Sequence, residues 1–152
     1  MFGRLDAWRA VDGAEVLDLY CGSGALALEA LSRGAVGAVG VEADRVAARV
    51  AADNARTLDL PLSVVQDRVS RYVAAPGPSF DLVLLDPPYS LDGPELAQVL
   101  GAVAARCRPD AVVVVERSAR SPEPVWPAAL DPLEPKTYGE TRVWFAELAS
   151  PS

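Results

Sequence analysis

The chain contains no histidine, only two cysteines, and no apolar run near the ~18 residues that a membrane span needs. Each absence removes a class of chemistry. Without histidine there is no Ser-His-Asp or Cys-His catalysis and no His-ligated metal. Cys21 and Cys107 are too few for a cysteine-rich metal site or a disulfide framework, so no metal is expected. The opening Met-Phe-Gly-Arg-Leu-Asp-Ala-Trp lacks the charged and apolar segments of a secretory signal. Together these absences predict a cytoplasmic protein with no membrane partner. Basic residues are also in short supply: 14 Lys and Arg stand against 21 Asp and Glu, a formal net charge of −7. That balance speaks mildly against nucleic acid, whose phosphates favour a basic surface.

What is present is ordinary globular material, 51% hydrophobic and 23% charged. A length of 152 residues suits one domain, 1–152, with a core of its own. Short β-rich runs alternate with longer Ala- and Leu-rich stretches. Strands are predicted at 14–19, 38–42, 62–66, 80–85 and 111–116, and helices at 25–32, 44–58, 69–75 and 95–107. Strands alternating with helices imply a parallel sheet covered on both faces. From Ser118 the prolines at 122, 124, 127, 132 and 135 mark an irregular connection. Segments 135–138 and 141–148 flank Gly139-Glu140 and read as an antiparallel hairpin closing the sheet. The last residues, Ser150-Pro151-Ser152, are expected to fray.

Two groups of residues carry chemistry. The first is Asp18-Leu19-Tyr20-Cys21-Gly22-Ser23-Gly24, where the first strand hands over to the first predicted helix. Glycines there permit a tight turn and close approach of a ligand, beside the free N–H groups of a helix start. Glu42 ends the second strand, where a carboxylate can accept both hydroxyls of a ribose. Two cofactor classes fit. Gly22-Ser23-Gly24-Ala25-Leu26-Ala27 satisfies the dinucleotide string G-x-G-x-x-G/A, which favours NAD. Asp18 at the strand end can bind an ammonium group, which S-adenosylmethionine has and NAD lacks. Asp67, after the third strand, can accept from an adenine amino group, and fits a helix N-cap equally well.

The second group is Asp86-Pro87-Pro88-Tyr89, directly after the fourth strand. Two prolines cannot continue a central strand, and they hold the Pro87 carbonyl in a fixed direction. Asp86 and that carbonyl form a pair of acceptors for the two hydrogens of an exocyclic base amine. Such binding aims the nitrogen lone pair at an electrophilic methyl, and catalysis becomes a matter of positioning and electrostatics. Asp86 can also take the departing proton. Tyr89 offers a flat face for an extruded base.

In this order the two groups resemble those of the class I (Rossmann-like) S-adenosylmethionine-dependent amino-methyltransferases. The run Gly-Ser-Gly-Ala-Leu-Ala-Leu-Glu-Ala-Leu-Ser-Arg-Gly, residues 22–34, is similar to the RsmD family. The likeness continues through Val41-Glu42-Ala43-Asp44, Asn54, Asp86 to Tyr89, Val115-Glu116-Arg117 and Tyr138-Gly139-Glu140-Thr141-Arg142, and so covers nearly the whole chain. The resemblance implies an α/β three-layer sandwich with a mostly parallel seven-stranded sheet and a C-terminal antiparallel hairpin. It implies transfer of a methyl from S-adenosylmethionine to the N2 amino group of a guanine in 16S rRNA, free or in a small-subunit assembly intermediate, with S-adenosylhomocysteine as product. The cofactor residues it implies are Asp18, Tyr20, Gly22, Ser23, Gly24, Glu42, Ala43, Asp67 and Arg68. The base-holding, catalytic residues are Asp86, Pro87, Pro88 and Tyr89. A DNA adenine-N6 enzyme, a non-catalytic S-adenosylmethionine-binding module and an NAD-dependent oxidoreductase are the alternatives, and a monomer is expected.

The family carries a basic N-terminal extension before its first strand. Met1-Phe2-Gly3-Arg4-Leu5 resembles the end of that region, and the upstream reading frame is expected to encode the rest. Cys21 reads as a small buried residue, and Trp126 and Trp144 as packing residues. Arg117, Arg120, Lys136 and Arg142 read either as a basic rim near the substrate or as a solvated surface.

Overall fold

The computed structural model describes residues 1–149; the expected fraying of Ser150-Pro151-Ser152 lies outside the described residues. The chain order is α1 (Phe2–Ala7), β1 (Glu15–Leu19), α2 (Ala25–Ser32), β2 (Gly37–Glu42), α3 (Arg45–Leu58), β3 (Leu62–Gln66) and α4 (Val69–Ala74). It continues with β4 (Phe80–Leu85), α5 (Gly93–Ala104), β5 (Cys107–Ser118), β6 (Leu130–Pro132), β7 (Lys136–Tyr138) and β8 (Thr141–Leu148). The sheet runs β3-β2-β1-β4-β5-β8-β6, with β7 also on β8. The pairings among β1 to β5 are parallel, and those of β8 are antiparallel.

Alternation along the strands sorts the core into two layers. Val16, Leu82, Leu84, Val112, Val114 and Phe145 face α1, α2 and α3. Leu17, Leu19, Val83, Leu85, Val113 and Val115 face α4 and α5. Both faces of the central strands are therefore buried, which is why those strands read as continuous apolar runs. The result is the expected three-layer class I methyltransferase architecture. No helix among the described residues is long and apolar enough to cross a membrane.

Four details differ from expectation. The seventh sheet position is shared by two short strands, β6 and β7, because Leu133-Glu134-Pro135 interrupts pairing along the outer edge of β8. The hairpin itself stands where expected, with Tyr138 opposite Thr141. The helix expected at 95–107 runs from Gly93 to Ala104: Asp92 caps it by accepting from the Glu95 amide at 2.8 Å, and Cys107 already pairs with Phe80 in β5. The start of β5 is irregular, since Pro109 has no N–H to donate and Asp110 adopts φ +66°; regular pairing resumes at Val112. Lastly, α1 is too short to show a helical period, and is held by burying Phe2 and Leu5.

Candidate active site

The sheet order reverses between β1 and β4: the chain moves outward through β2 and β3, then returns beside β1 at β4. Such a switch point leaves a crevice at the carboxyl ends of the strands. Here it opens into a cleft of about 850 Å³. The cleft brings together Tyr20, Glu42, Ala43 and Arg68 with Asp86 and Pro88, all singled out from sequence. Its remaining wall is mostly apolar, from Val69, Val73 and Ala74 of α4, Leu91, and Val99 and Ala102 of α5, with Ser70, Glu95 and Gln98 as polar members.

The loop after β1 is built by left-handed backbone. Tyr20, Gly22 and Gly24 have φ of +59°, +53° and +83°. At Gly22 an added Cβ would meet nothing within 4 Å, so the backbone there is open to a ligand. Glu42 orients this loop: its Oε1 accepts from the Gly22 amide at 2.9 Å and its Oε2 from the Asp44 amide at 2.8 Å. Each oxygen keeps a further lone pair. Asn54 on α3 donates to the Ser23 carbonyl at 3.0 Å, fixing the loop from the other side. Asp18, Gly22, Ser23 and Gly24 do not line the cleft; Gly24 is the N-cap of α2 and packs against Leu62 and Ala51.

Asp18 lies beneath the loop, on the sheet face toward α2, and is 1% exposed. Its Oδ2 accepts from the Ala27 amide at 3.1 Å, and its Oδ1 is buried without a partner. Burial, above all, pushes its carboxyl up to about 7, opposed by the Ala27 bond and reinforced by Asp86, Glu116 and Glu42. Cys21 is buried beside Gly40, and burial pushes its thiol up to about 12. That is the environment of a packing residue. Asp67 accepts the Arg68 amide at 2.8 Å and lies 3.7 Å from the Arg71 guanidinium. The N-cap position of α4 belongs to Arg68, with no side-chain cap, and Asp67 is not a cleft-lining residue.

A second cavity, of about 370 Å³, adjoins the cleft and shares Asp86 and Pro88 with it. Pro87, Tyr89, Glu116, Arg117, Ser118 and Thr141 complete its lining. Pro87 is buried, whereas the Tyr89 ring is 91% exposed. An aromatic ring that exposed has a free face for stacking. Burial raises the Asp86 carboxyl, and burial and then Asp86 raise that of Glu116. Arg117 donates to the carbonyls of Pro88 and Leu91, bracing the loop after β4. Of the four basic residues read as a rim, Arg117 is thus a strut, and Arg142 donates to Thr137 Oγ1 and lies over the Trp144 ring. Trp144 is buried in the core, as its reading as a packing residue required.

Sequence reasoning missed the α4 and α5 wall and the roles of Asn54 and Arg117. Asn54 and Arg117 stood within the segments of family likeness, which was the available signal.

Residues 1–147 match the family model described as conserved hypothetical protein 95. The ribosomal RNA small subunit methyltransferase D of Escherichia coli K12 is 40% identical over 77 residues, covering 50% of this chain and 39% of that protein. The Haemophilus influenzae protein of the same name is 32% identical over 114 residues, covering 72% of this chain and 59% of its own length. The matches thus span less than two thirds of either relative, 39% of one and 59% of the other. The solved structure of Escherichia coli yhhF superposes with a TM-score of 0.88 at 27% identity, over 99% of this chain and 84% of that one.

Proposed function

The chain belongs to the family described as conserved hypothetical protein 95, the RsmD-type methyltransferases, and on that footing we propose that it methylates the exocyclic N2 amino group of a guanine in 16S rRNA. The methyl donor is S-adenosylmethionine, the substrate is the rRNA or an assembling small-subunit particle, and the setting is the cytoplasm. The described residues work as one methyltransferase domain. One observation carries the reading: the 850 Å³ cleft and the 370 Å³ cavity meet at Asp86 and Pro88. A donor in the first and a base in the second would face each other across the acceptors that hold the amine.

The residues fit such a donor. The partnerless Asp18 Oδ1 leaves a buried acceptor under the loop where a methionine ammonium would lie. Open space at Gly22 admits a ligand to the backbone. Glu42, already oriented by two amides, has lone pairs left for ribose hydroxyls. Arg68 and the α4 and α5 wall would flank the adenine, and Asp67, just outside the cleft lining, would turn a free oxygen toward its amino group.

When bound, S-adenosylmethionine would supply an electrophilic methyl on a sulfonium: the amine nitrogen would take it in a new C–N bond as the C–S bond broke with its pair to sulfur, leaving S-adenosylhomocysteine. Asp86 and the Pro87 carbonyl accept the two amine hydrogens, so the lone pair is freed from the ring and aimed. Asp86, whose proton affinity burial raises, takes the proton that the methylated nitrogen sheds, directly or through water. Tyr89 stacks on the extruded base. None of these steps needs histidine.

Two measurements test the proposal. S-adenosylmethionine and S-adenosylhomocysteine should raise the melting temperature and NAD should not, since a ligand of the native state stabilises it. Methyl transfer to small-subunit particles lacking the modification should fall at least ~100-fold in Asp86→Ala, with the S-adenosylmethionine response retained. Stabilisation by NAD alone, or undiminished transfer in Asp86→Ala, overturns the reading.

A further inference from the structure

The smaller cavity contains an acceptor that the methyl transfer does not use. Glu116 stands beside Asp86 across the β4–β5 pairing, one position beyond the Leu85–Val115 pair. Alternation puts both carboxylates on the sheet face of Leu84 and Val114. Both line the cavity, as does the exposed Tyr89.

Among the described residues no cation forms an ion pair with Asp86 or Glu116. Arg117, the adjacent cation, spends its guanidinium on the carbonyls of Pro88 and Leu91. The Met1 ammonium acts on Glu116 from a distance and donates to the Tyr138 hydroxyl at 2.9 Å. The cavity therefore brings two carboxylates without a salt bridge, Glu116 and Asp86, together beside Pro87, with Arg117, Ser118 and Thr141 completing its polar lining. A ligand that satisfies both carboxylates must bring adjacent donors.

Bases differ in that respect along the Watson–Crick edge, which is the edge an enzyme reads on an extruded base. Guanine carries an N1–H directly beside its N2 amine. Adenine and cytosine carry their amines beside a ring nitrogen that is an acceptor. An ionised carboxylate can only accept. Facing guanine it gains a charge-assisted bond; facing adenine or cytosine it meets a lone pair and loses its hydration for nothing.

We propose that Glu116 is the residue that selects guanine, its carboxylate accepting the N1–H while Asp86 and the Pro87 carbonyl hold the N2 amine. This assignment rests on the reading that the Asp86 loop holds the amine. It makes discrimination both attractive toward guanine and repulsive toward the other amine-bearing bases. Glu116 is half-buried at the cavity wall, so a donor brought by the ligand is worth more there than in open water.

The test uses 2-aminopurine, which keeps the amine of guanine but has an acceptor at N1. The full chain, labelled with nitrogen-15, is titrated with GMP, AMP and 2-aminopurine riboside monophosphate, following amide shifts around Tyr89 and Glu116. Wild type should prefer GMP over the 2-aminopurine nucleotide by about 10–100-fold, the discrimination of one good base contact, with AMP no better than 2-aminopurine. Glu116→Gln, whose amide can donate to N1, should bring the two purines near parity. It should still be stabilised by S-adenosylmethionine. Equal binding of GMP and 2-aminopurine nucleotide by wild type overturns the assignment, as does a full GMP preference retained in folded Glu116→Gln. Where that variant does not fold, the wild-type comparison decides alone. Absence of methyl transfer to any small-subunit particle would instead strike the proposed function, and is read in a separate assay.

Discussion

The Arg117 guanidinium donates to the Leu91 carbonyl at 2.9 Å and to that of Pro88 at 3.4 Å, so a side chain of β5 holds the loop that leaves β4. The Leu91 amide donates back to the Pro88 carbonyl at 3.0 Å, closing that loop as a turn. Pro88 and Leu91 both line the larger cleft. Their backbone position thus depends on a cation of the neighbouring strand that also lines the smaller cavity.

Arg117→Met removes both bonds and keeps much of the aliphatic stem. Charge-assisted bonds to carbonyls are worth about 1–2 kcal/mol together at a half-buried site, so the melting temperature should fall modestly. Misplacement of the Asp86 loop by an ångström should cost transfer about 10–100-fold. The dissociation constant for S-adenosylhomocysteine should change far less than kcat. A variant with wild-type kcat would show that Arg117 only decorates the rim.

Sequence was most informative where apolar runs end in residues that can do nothing else. The spans 25–32, 62–66 and 80–85 agree with α2, β3 and β4 residue for residue. Asp86-Pro87-Pro88 marks its own strand end because proline cannot continue a central ladder. The end of α5 was illegible for the converse reason: Ala104-Ala105-Arg106-Cys107 suits a helix by propensity. Tertiary contacts decide otherwise there. Arg106, 5% exposed, donates to the carbonyls of Pro78, Tyr72 and Ala75, and so ties the chain before β5 to the end of α4. In the site, the carboxylates and glycines were legible by type. The apolar wall of Val73, Val99 and Ala102 was not, because a helix face that lines a cleft has the same spacing as one that packs in the core. Arg117 was ambiguous because a solvated arginine and a bonded one look alike in sequence.

Gly40 on β2 lets the glycine loop lie close. A Cβ added there would meet Cys21 Sγ at 2.9 Å, Cys21 Cβ at 3.3 Å and Leu62 Cδ1 at 3.4 Å. The Cys21 amide meanwhile donates to the Val41 carbonyl at 3.0 Å, which fixes the loop against that strand. Gly40→Ala should therefore destabilise the chain by about 1–3 kcal/mol, as overpacking does, and weaken S-adenosylmethionine binding by shifting the loop. Cys21→Ala removes the closest clash and leaves the Cβ contact. The double variant should recover part of the loss, with a coupling energy of at least about 0.5 kcal/mol in urea melts. Cys21→Ala alone should retain transfer. Strict additivity would mean that the two residues do not compete for this space.

Asp18 makes stability depend on pH in a direction opposite to that of a salt-bridged carboxylate. Its pKa rises from 3.8 to about 7 on folding, through burial first. The folded chain therefore binds the proton more tightly than the unfolded chain. The stabilisation is fully present below about pH 4 and is lost as pH rises through about 7. Three units correspond to on the order of 4 kcal/mol at most, since each unit is worth about 1.4 kcal/mol. Over pH 5 to 8, urea midpoints of the unliganded wild type should fall relative to those of Asp18→Asn, which cannot ionise and keeps an oxygen for the Ala27 amide. Binding of a donor with an ammonium group favours the ionised form, so S-adenosylmethionine affinity should rise over the same window. That rise should vanish in Asp18→Asn. Parallel stability profiles for the two proteins would mean that Asp18 keeps an ordinary pKa in the folded chain, with its buried oxygen hydrated. Equal affinity profiles would remove it from the ammonium site.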